Sequence, residues 1–333
     1  MRNARNEQRP NVLNVIGAAV STAVGGWLTY SALLIDHDIP LPPAIDAPQE
    51  RFSGTETGFL NYYVDENGEG RPLVLIHSIN AAGSSYEMRP IFEQYRGKRP
   101  VYALDLPGFG FSERADREYS PQLYAQAIID LLERKVGVPA DVIALSLGSE
   151  FAARAARMRP ELFHSLTLIS PSGFTRREKK VASQRASGSS ASDAALAFFR
   201  FPLWSQGFYD VLATRRSIRY FLKQSFEGTP DEGMIAYDYL TAHQRGARFA
   251  PFYFVSGKLF SPHIREDVYE KLSLPVLVLY DRDEFVRFDM LPHTLEHCPN
   301  WRAVRIAPTR GLPHFEQLAS VVSALDGFWD TLA

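Results

Sequence analysis

Ser146, Asp283 and His314 stand in that order along the chain, each close behind a short apolar run, and together these residue types can carry out nucleophilic attack on an acyl carbon. A serine hydroxyl alone is a weak nucleophile. It needs a base to take its proton, and the base needs an acid to orient its ring. Ser146 lies in A-L-S-L-G-S, between the apolar D-V-I-A-L and the helical pattern E-F-A-A-R-A-A. A serine on such a strand-to-helix turn has its hydroxyl thrust out above the sheet. So tight a turn needs small residues two before and two after the serine, and Ala144 and Gly148 occupy those positions, alanine standing where glycine is usual. The helix behind it would aim unpaired N–H groups and its positive dipole end at a developing oxyanion.

The base and the acid must lie later in the chain. Asp283 follows P-V-L-V-L-Y in D-R-D-E, at the C-terminal end of an expected strand, where open α/β sheets gather catalytic groups. Asp281 and Glu284 compete with it; Asp281, directly at the strand end, reads as a loop cap. His314 sits in G-L-P-H-F-E, after the last expected strand and before the final helix, whereas His293 and His297 fall on a helix. Asp105, in D-L-P-G-F-G, reads as turn chemistry. Glu150 and Arg154 have the spacing of an i,i+4 pair on the helix after Ser146.

The elements that would position these residues alternate between β-rich apolar runs and helical patterns, the rhythm of βαβ units around a mainly parallel sheet. Strands are expected near Phe59–Val64, Leu73–His77, Val101–Leu106, Val142–Leu145, Ser165–Ser170, Val276–Tyr280 and Ala303–Ala307. Helices are expected at Tyr86–Tyr95, Gln122–Lys135, Glu150–Met158, Leu291–His297 and Phe315–Phe328. Between Ser170 and Val276 the rhythm breaks into a helical insertion. It opens with a basic, then Ser/Gly/Ala-rich stretch over Arg176–Ser192 and continues with dense aromatics from Phe198 to Phe254, most of which are expected to pack inside a small cap while the rest line a pocket roof.

With 333 residues, 45% of them hydrophobic, one main domain with decorations is expected. The net charge of −2 argues against a nucleic-acid partner. Cys298, the single cysteine, leaves neither a disulfide framework nor a zinc site, and no metal or cofactor is expected. From Asn11 to Ile35 no residue is charged; Arg2, Arg5 and Arg9 precede this segment and Asp36 and Asp38 follow it. Its length and flanks fit a single membrane anchor with the body on the far side, and the glycines, serines and threonines within it fit a helix packed on the body of a cytoplasmic protein instead. A proline-rich connection over Pro40–Pro48 follows. The expected layout is an N-terminal extension over 1–50 with residues 11–35 as the possible anchor helix, a core over 51–174 and 271–333, and a helical cap over 175–270.

From about Phe52 to Ala333 the chain resembles the serine-dependent α/β-hydrolase superfamily. Besides the serine turn, L-V-L-I-H-S-I-N resembles the family's H-G-x oxyanion segment, and D-L-P-G-F-G-F-S is similar to the segment after the next strand. The resemblance implies the α/β-hydrolase fold, a mostly parallel central sheet flanked by helices with a helical cap inserted after the sixth strand. It implies Ser146, Asp283 and His314 as catalytic triad and the backbone N–H groups of Ile79 and Leu147 as oxyanion hole. Ser78 stands where the family has glycine, so the Asn80 side chain is a further candidate donor, and His77 takes a structural place. The implied activity is hydrolysis of an ester or similar acyl bond through an acyl-enzyme. An aromatic-rich cap favours an apolar or bulky small-molecule substrate. A serine at this position argues against dehalogenase and epoxide hydrolase chemistry, which needs a carboxylate there. C–C bond hydrolase, perhydrolase and acyltransferase chemistry stay open, as does a non-catalytic, membrane-tethered binding protein that keeps the fold.

Overall fold

The computed structural model describes residues 12–176 and 190–332. Eight strands form one sheet: β1 (Gln49–Ser53), β2 (Phe59–Asp65), β3 (Leu73–Ile76), β4 (Val101–Asp105), β5 (Ala140–Leu145), β6 (Phe163–Ile169), β7 (Val276–Tyr280) and β8 (Trp301–Arg305), in the order β1-β2-β4-β3-β5-β6-β7-β8. β1 and β2 pair antiparallel with each other, and β2 antiparallel with β4. From β4 to β8 every pairing is parallel. β4 and β5 are buried along their whole length, which is why they read as unbroken apolar runs.

Alternate strand residues feed two cores. Val74, Ile76, Leu104, Val142 and Ala144 pack with Tyr124 and Phe151 of α3 (Pro121–Leu131) and α4 (Gly148–Met158). Leu73, Leu75, Ala103, Ile143 and Leu145 pack with Ile91, Phe92, Val321 and Leu325 of α2 (Arg89–Tyr95) and the C-terminal helix on the opposite face. The sequence misses β1 because only Phe52 of Q-E-R-F-S is buried; an edge strand held by backbone pairing leaves no apolar pattern. The helix expected over Tyr86–Tyr95 divides into a 3₁₀ turn, Ser85–Met88, and α2, whose second residue is proline.

Between β6 and β7 lie the helices of the insertion: α5 (Ser190–Arg200), α6 (Ser205–Leu212), α7 (Arg215–Ser225), α8 (Glu232–Ala242), α9 (Phe249–Val255) and the single turn α10 (Ile264–Asp267). The basic and Ser/Gly/Ala-rich stretch falls largely outside the described residues. Tyr209 and Phe252 are fully enclosed and Phe199 and Phe208 pack against them, while Phe198, Phe201, Tyr220 and Phe221 face outward. The chain closes with α11 (Leu291–His297), α12 (Pro313–Glu316) and α13 (Leu318–Asp330).

The uncharged N-terminal segment forms α1 (Val12–Leu34), and Arg2, Arg5 and Arg9 lie outside the described residues. Among the described residues no helix is long and apolar enough to cross a membrane. The second half of α1 docks on α6 of the insertion. Trp27 Nε1 donates to the Gly207 carbonyl at 2.8 Å, and Ser31 Oγ donates to Asp210 Oδ2 at 2.5 Å. A Cβ on Gly207 would stand 2.6 Å from Leu28 Cδ2, so the close approach of the two helices depends on that glycine.

Candidate active site

β5 ends at Leu145, and the next residue turns with φ +50°, a left-handed conformation that costs a non-glycine residue roughly 1–2 kcal/mol. That residue is Ser146. Its N–H donates to the Ile169 carbonyl at 2.8 Å and its carbonyl accepts Ser149 N–H at 3.0 Å, so the neighbouring strand and the new helix fix the turn from both sides. A Cβ on Gly148 would collide with the carbonyl oxygen of His77, which accounts for the small residue required two positions after the serine.

The segment after β3 is pinned with equal care. Leu106 N–H donates to His77 Nε2 at 2.9 Å, so Nδ1 bears the proton and donates to the Ser78 carbonyl at 2.6 Å. Buried Glu87 accepts Ser78 N–H at 2.7 Å and Asn80 Nδ2 at 2.7 Å. Asn80 therefore spends its side chain inside the loop and aims no amide at an oxyanion, contrary to what the sequence admits. With Ser78 N–H taken by Glu87 and Ser149 and Glu150 N–H by Ser146 and Leu147 carbonyls, the N–H groups of Ile79 and Leu147 remain; neither has an acceptor among the described residues. Glu87 is absent from the sequence reading. Its signal there is slight, an acid in the apolar-flanked S-Y-E-M.

Asp105 is fully buried and acts as the turn chemistry of D-L-P-G predicts, holding Ser85 N–H at 3.0 Å, Phe111 N–H at 2.9 Å and Asn61 Nδ2 at 2.8 Å. Glu150 departs from the expected pair with Arg154. Its carboxylate accepts Ser172 Oγ at 2.6 Å and Ser261 N–H at 3.0 Å, while Arg154 donates to Ser261 Oγ at 2.7 Å. Full burial makes a tie to the insertion worth more than a solvent-facing pair, and raises the Glu150 pKa.

His314 occupies the first turn of α12 and is wholly buried. Its Nε2 donates to the Glu87 carbonyl at 2.6 Å, and Nδ1 has no partner among the described residues. Burial pulls its pKa down to about 4, so the ring is neutral at pH 7. Asp283 follows β7, and its Oδ1 accepts the N–H groups of Phe285 at 2.6 Å and Val286 at 3.1 Å. Its Oδ2 faces Gly311, three residues before His314, where an added Cβ would come to 3.0 Å, and burial raises its pKa. Of its rivals, Asp281 binds Arg305 Nε at 2.7 Å and Thr309 N–H at 2.9 Å, and Glu284 binds Arg310 Nη1 at 2.7 Å. Ser146 follows β5, Asp283 follows β7 and His314 lies in the first turn of α12, but no hydrogen bond links Ser146 to His314 or His314 to Asp283. Among the described residues no group of three or more His, Cys, Asp or Glu side chains could hold a metal ion.

The fold defines a class. The chain matches the alpha/beta hydrolase family over residues 73–324, and it belongs to that family. It is 33% identical over 133 residues to the uncharacterized hydrolase YugF of Bacillus subtilis, covering 39% of this chain and 47% of that protein. To the pimeloyl-[acyl-carrier protein] methyl ester esterase of Chromobacterium violaceum it is 31% identical over 113 residues, covering 34% of this chain and 42% of the esterase. The chain thus spans less than half the length of these curated relatives. A probable hydrolytic enzyme of Pseudomonas aeruginosa superposes with a TM-score of 0.66 at 17% identity, over 87% of this chain and 98% of its own, a likeness of fold.

Proposed function

We propose that the chain is a serine hydrolase that cleaves an ester or related acyl bond. Ser146 is the nucleophile, His314 the base and Asp283 the acid that orients it. In this mechanism Nε2 of His314 takes the Ser146 proton, Oγ bonds to the acyl carbon, and the carbonyl π electrons move to oxygen. The N–H groups of Ile79 and Leu147 hold that oxyanion. Collapse expels the alcohol, which takes the proton from His314, and water then releases the acid by the same steps in reverse order. The observation that carries this reading is the left-handed turn at Ser146 with Gly148 pressed against the His77 carbonyl. Because Nε2 gives its proton to the Glu87 carbonyl, catalysis also requires the His314 ring to release that carbonyl and to carry its proton on Nδ1 instead, facing Asp283, which leaves Nε2 free to accept from Ser146. Ser146→Ala is expected to abolish hydrolysis of short p-nitrophenyl esters; unchanged turnover would refute the assignment.

Names among the relatives favour this class without fixing the bond. The chain is similar to the methyl ester esterase above and to the 2-hydroxymuconate semialdehyde hydrolase of a Pseudomonas strain, 29% identical over 112 residues, covering 33% of this chain and 40% of that protein. A haloalkane dehalogenase of Agrobacterium fabrum is also similar, at 33% over 132 residues, but that chemistry needs a carboxylate where this chain has Ser146. Attachment to a lipid surface is a separate reading, supported by the uncharged Asn11–Ile35 segment and by Leu33 and Leu34, exposed at 75% and 72%. Full recovery of the protein without detergent after lysis would overturn it.

A further inference from the structure

The insertion carries an apolar corner that its own packing leaves open. Across the junction of α5 and α6 the chain reads F-F-R-F-P-L-W, and Phe198, Phe201 and Leu203 are exposed at 53%, 48% and 70%. The aromatics of this corner are contiguous. The Trp204 ring lies 5.3 Å from that of Phe198 and 4.3 Å from that of Phe201, centroid to centroid. Phe198 in turn packs on Phe199, and Phe199 on Phe208 of α6, so buried rings brace the exposed ones from behind. Single exposed apolar residues are ordinary on a protein surface; a braced, contiguous group of them marks a contact.

α1 leaves the body at this same corner. Trp27 pairs with Gly207 and Ser31 with Asp210, so α1 and α6 run in the same direction, and toward its N-terminus α1 passes the start of α6 at Ser205. Val24 shares the docked face with Leu28 and Ser31 by its i, i+4, i+7 spacing, yet it is half-exposed, since α6 does not reach its level. About 22 Å of α1 precedes Trp27, and no residue of the helix is charged. The polar groups bordering the corner are turned inward. Trp204 Nε1 donates to the Phe198 carbonyl at 2.8 Å, Trp27 Nε1 to the Gly207 carbonyl at 2.8 Å and Thr29 Oγ1 to the Gly25 carbonyl at 2.9 Å. Arg200, the one charge between Ala194 and Gly207, donates to Asp116 at 2.6 Å and to the Tyr253 hydroxyl at 2.8 Å.

We infer that the α5–α6 corner and the emerging part of α1 form a seat for the surface of a lipid bilayer, with Phe198, Phe201 and Leu203 entering the boundary between headgroups and acyl chains. The inference rests on the lipid-attachment reading and names the face of the insertion that makes the contact. A protein partner is met by a rim of free hydrogen-bonding groups. Hydrocarbon demands the contrary, that polar groups be satisfied within the chain, and that is the condition of Trp27, Thr29, Arg200 and Trp204. The contact is interfacial and asks for no spanning helix; none of the described helices is long and apolar enough to be one.

Flotation of the full chain with phosphatidylcholine vesicles tests the seat. The native chain should rise with the vesicles, and about 1 M salt should not release it, because no charge is engaged. Phe201→Asp combined with Leu203→Asp should weaken partition by roughly 10-fold or more, the effect of withdrawing two large apolar side chains from lipid. The thermal midpoint should stay at the native value, since both positions are exposed; Leu203→Ser alone should act in the same direction if the double variant unfolds. Equal flotation of native and variant chains would overturn the corner and leave lipid attachment through α1 standing. A native chain that does not float would overturn both. A concentration-dependent dimer in ultracentrifugation, abolished by the double variant and formed without vesicle binding, would assign the corner to a second copy of this chain and overturn the lipid seat.

Discussion

At Ser146 the main chain takes φ +50° because Ile169 grips its N–H from one side while α4 begins on the other, and Gly148 is the residue that lets the turn close. Gly148→Ala would drive a methyl group into the His77 carbonyl. It should cost roughly 1–3 kcal/mol in denaturant unfolding and shift Ser146 out of its turn; an unshifted midpoint would contradict the close contact. His314 gives a second test at this scale. Its pKa is about 4 in the fold against an ordinary value of 6.5, so the unfolded chain binds its proton first. Its share of stability is complete above pH 6.5 and is lost as pH falls from there through 4. His314→Gln should remove that share, making the fall in stability between pH 7 and 4.5 shallower than in the native chain. Parallel curves would show that the ring is not buried as described.

Elements were legible where their pattern comes from burial on a regular period. β4, β5 and β7 read as apolar runs because helices cover both their faces, and A-L-S-L-G read as a turn because steric demand writes itself into Ala144 and Gly148. β1 and the break before α2 were not legible, since backbone pairing and a 3₁₀ turn leave little trace in side-chain type. Glu87 and Asp238 were hidden for another reason. Each is an acidic residue that the assembled fold buries, and side-chain type alone gives no sign of that. Likewise α1 showed its lack of charge, but its docking on α6 depends on Gly207 and Asp210, far along the chain. Gly207→Val is predicted to force Leu28 away and loosen α1. Limited proteolysis should then cut near residue 35 faster than in the native chain, whereas an unchanged rate would mean that α1 is held elsewhere.

Across the whole molecule, the insertion is tied to the core by groups that also border the candidate site. Glu316, two residues after His314, accepts the N–H groups of Glu227 at 2.8 Å and Gly228 at 3.0 Å, and Glu150, four after Ser146, accepts Ser261 N–H at 3.0 Å. The insertion is therefore referenced to the same short segments that carry Ser146 and His314. The central claim is that this assembly makes the Ser146 hydroxyl reactive, and the measurement that tests it most directly is labelling of the whole chain with a fluorophosphonate, followed by mass mapping of the modified peptide. The account predicts a single phosphonylated residue, Ser146, with labelling abolished in heat-denatured protein and in Ser146→Ala. An unlabelled Ser146 in the folded chain would contradict it.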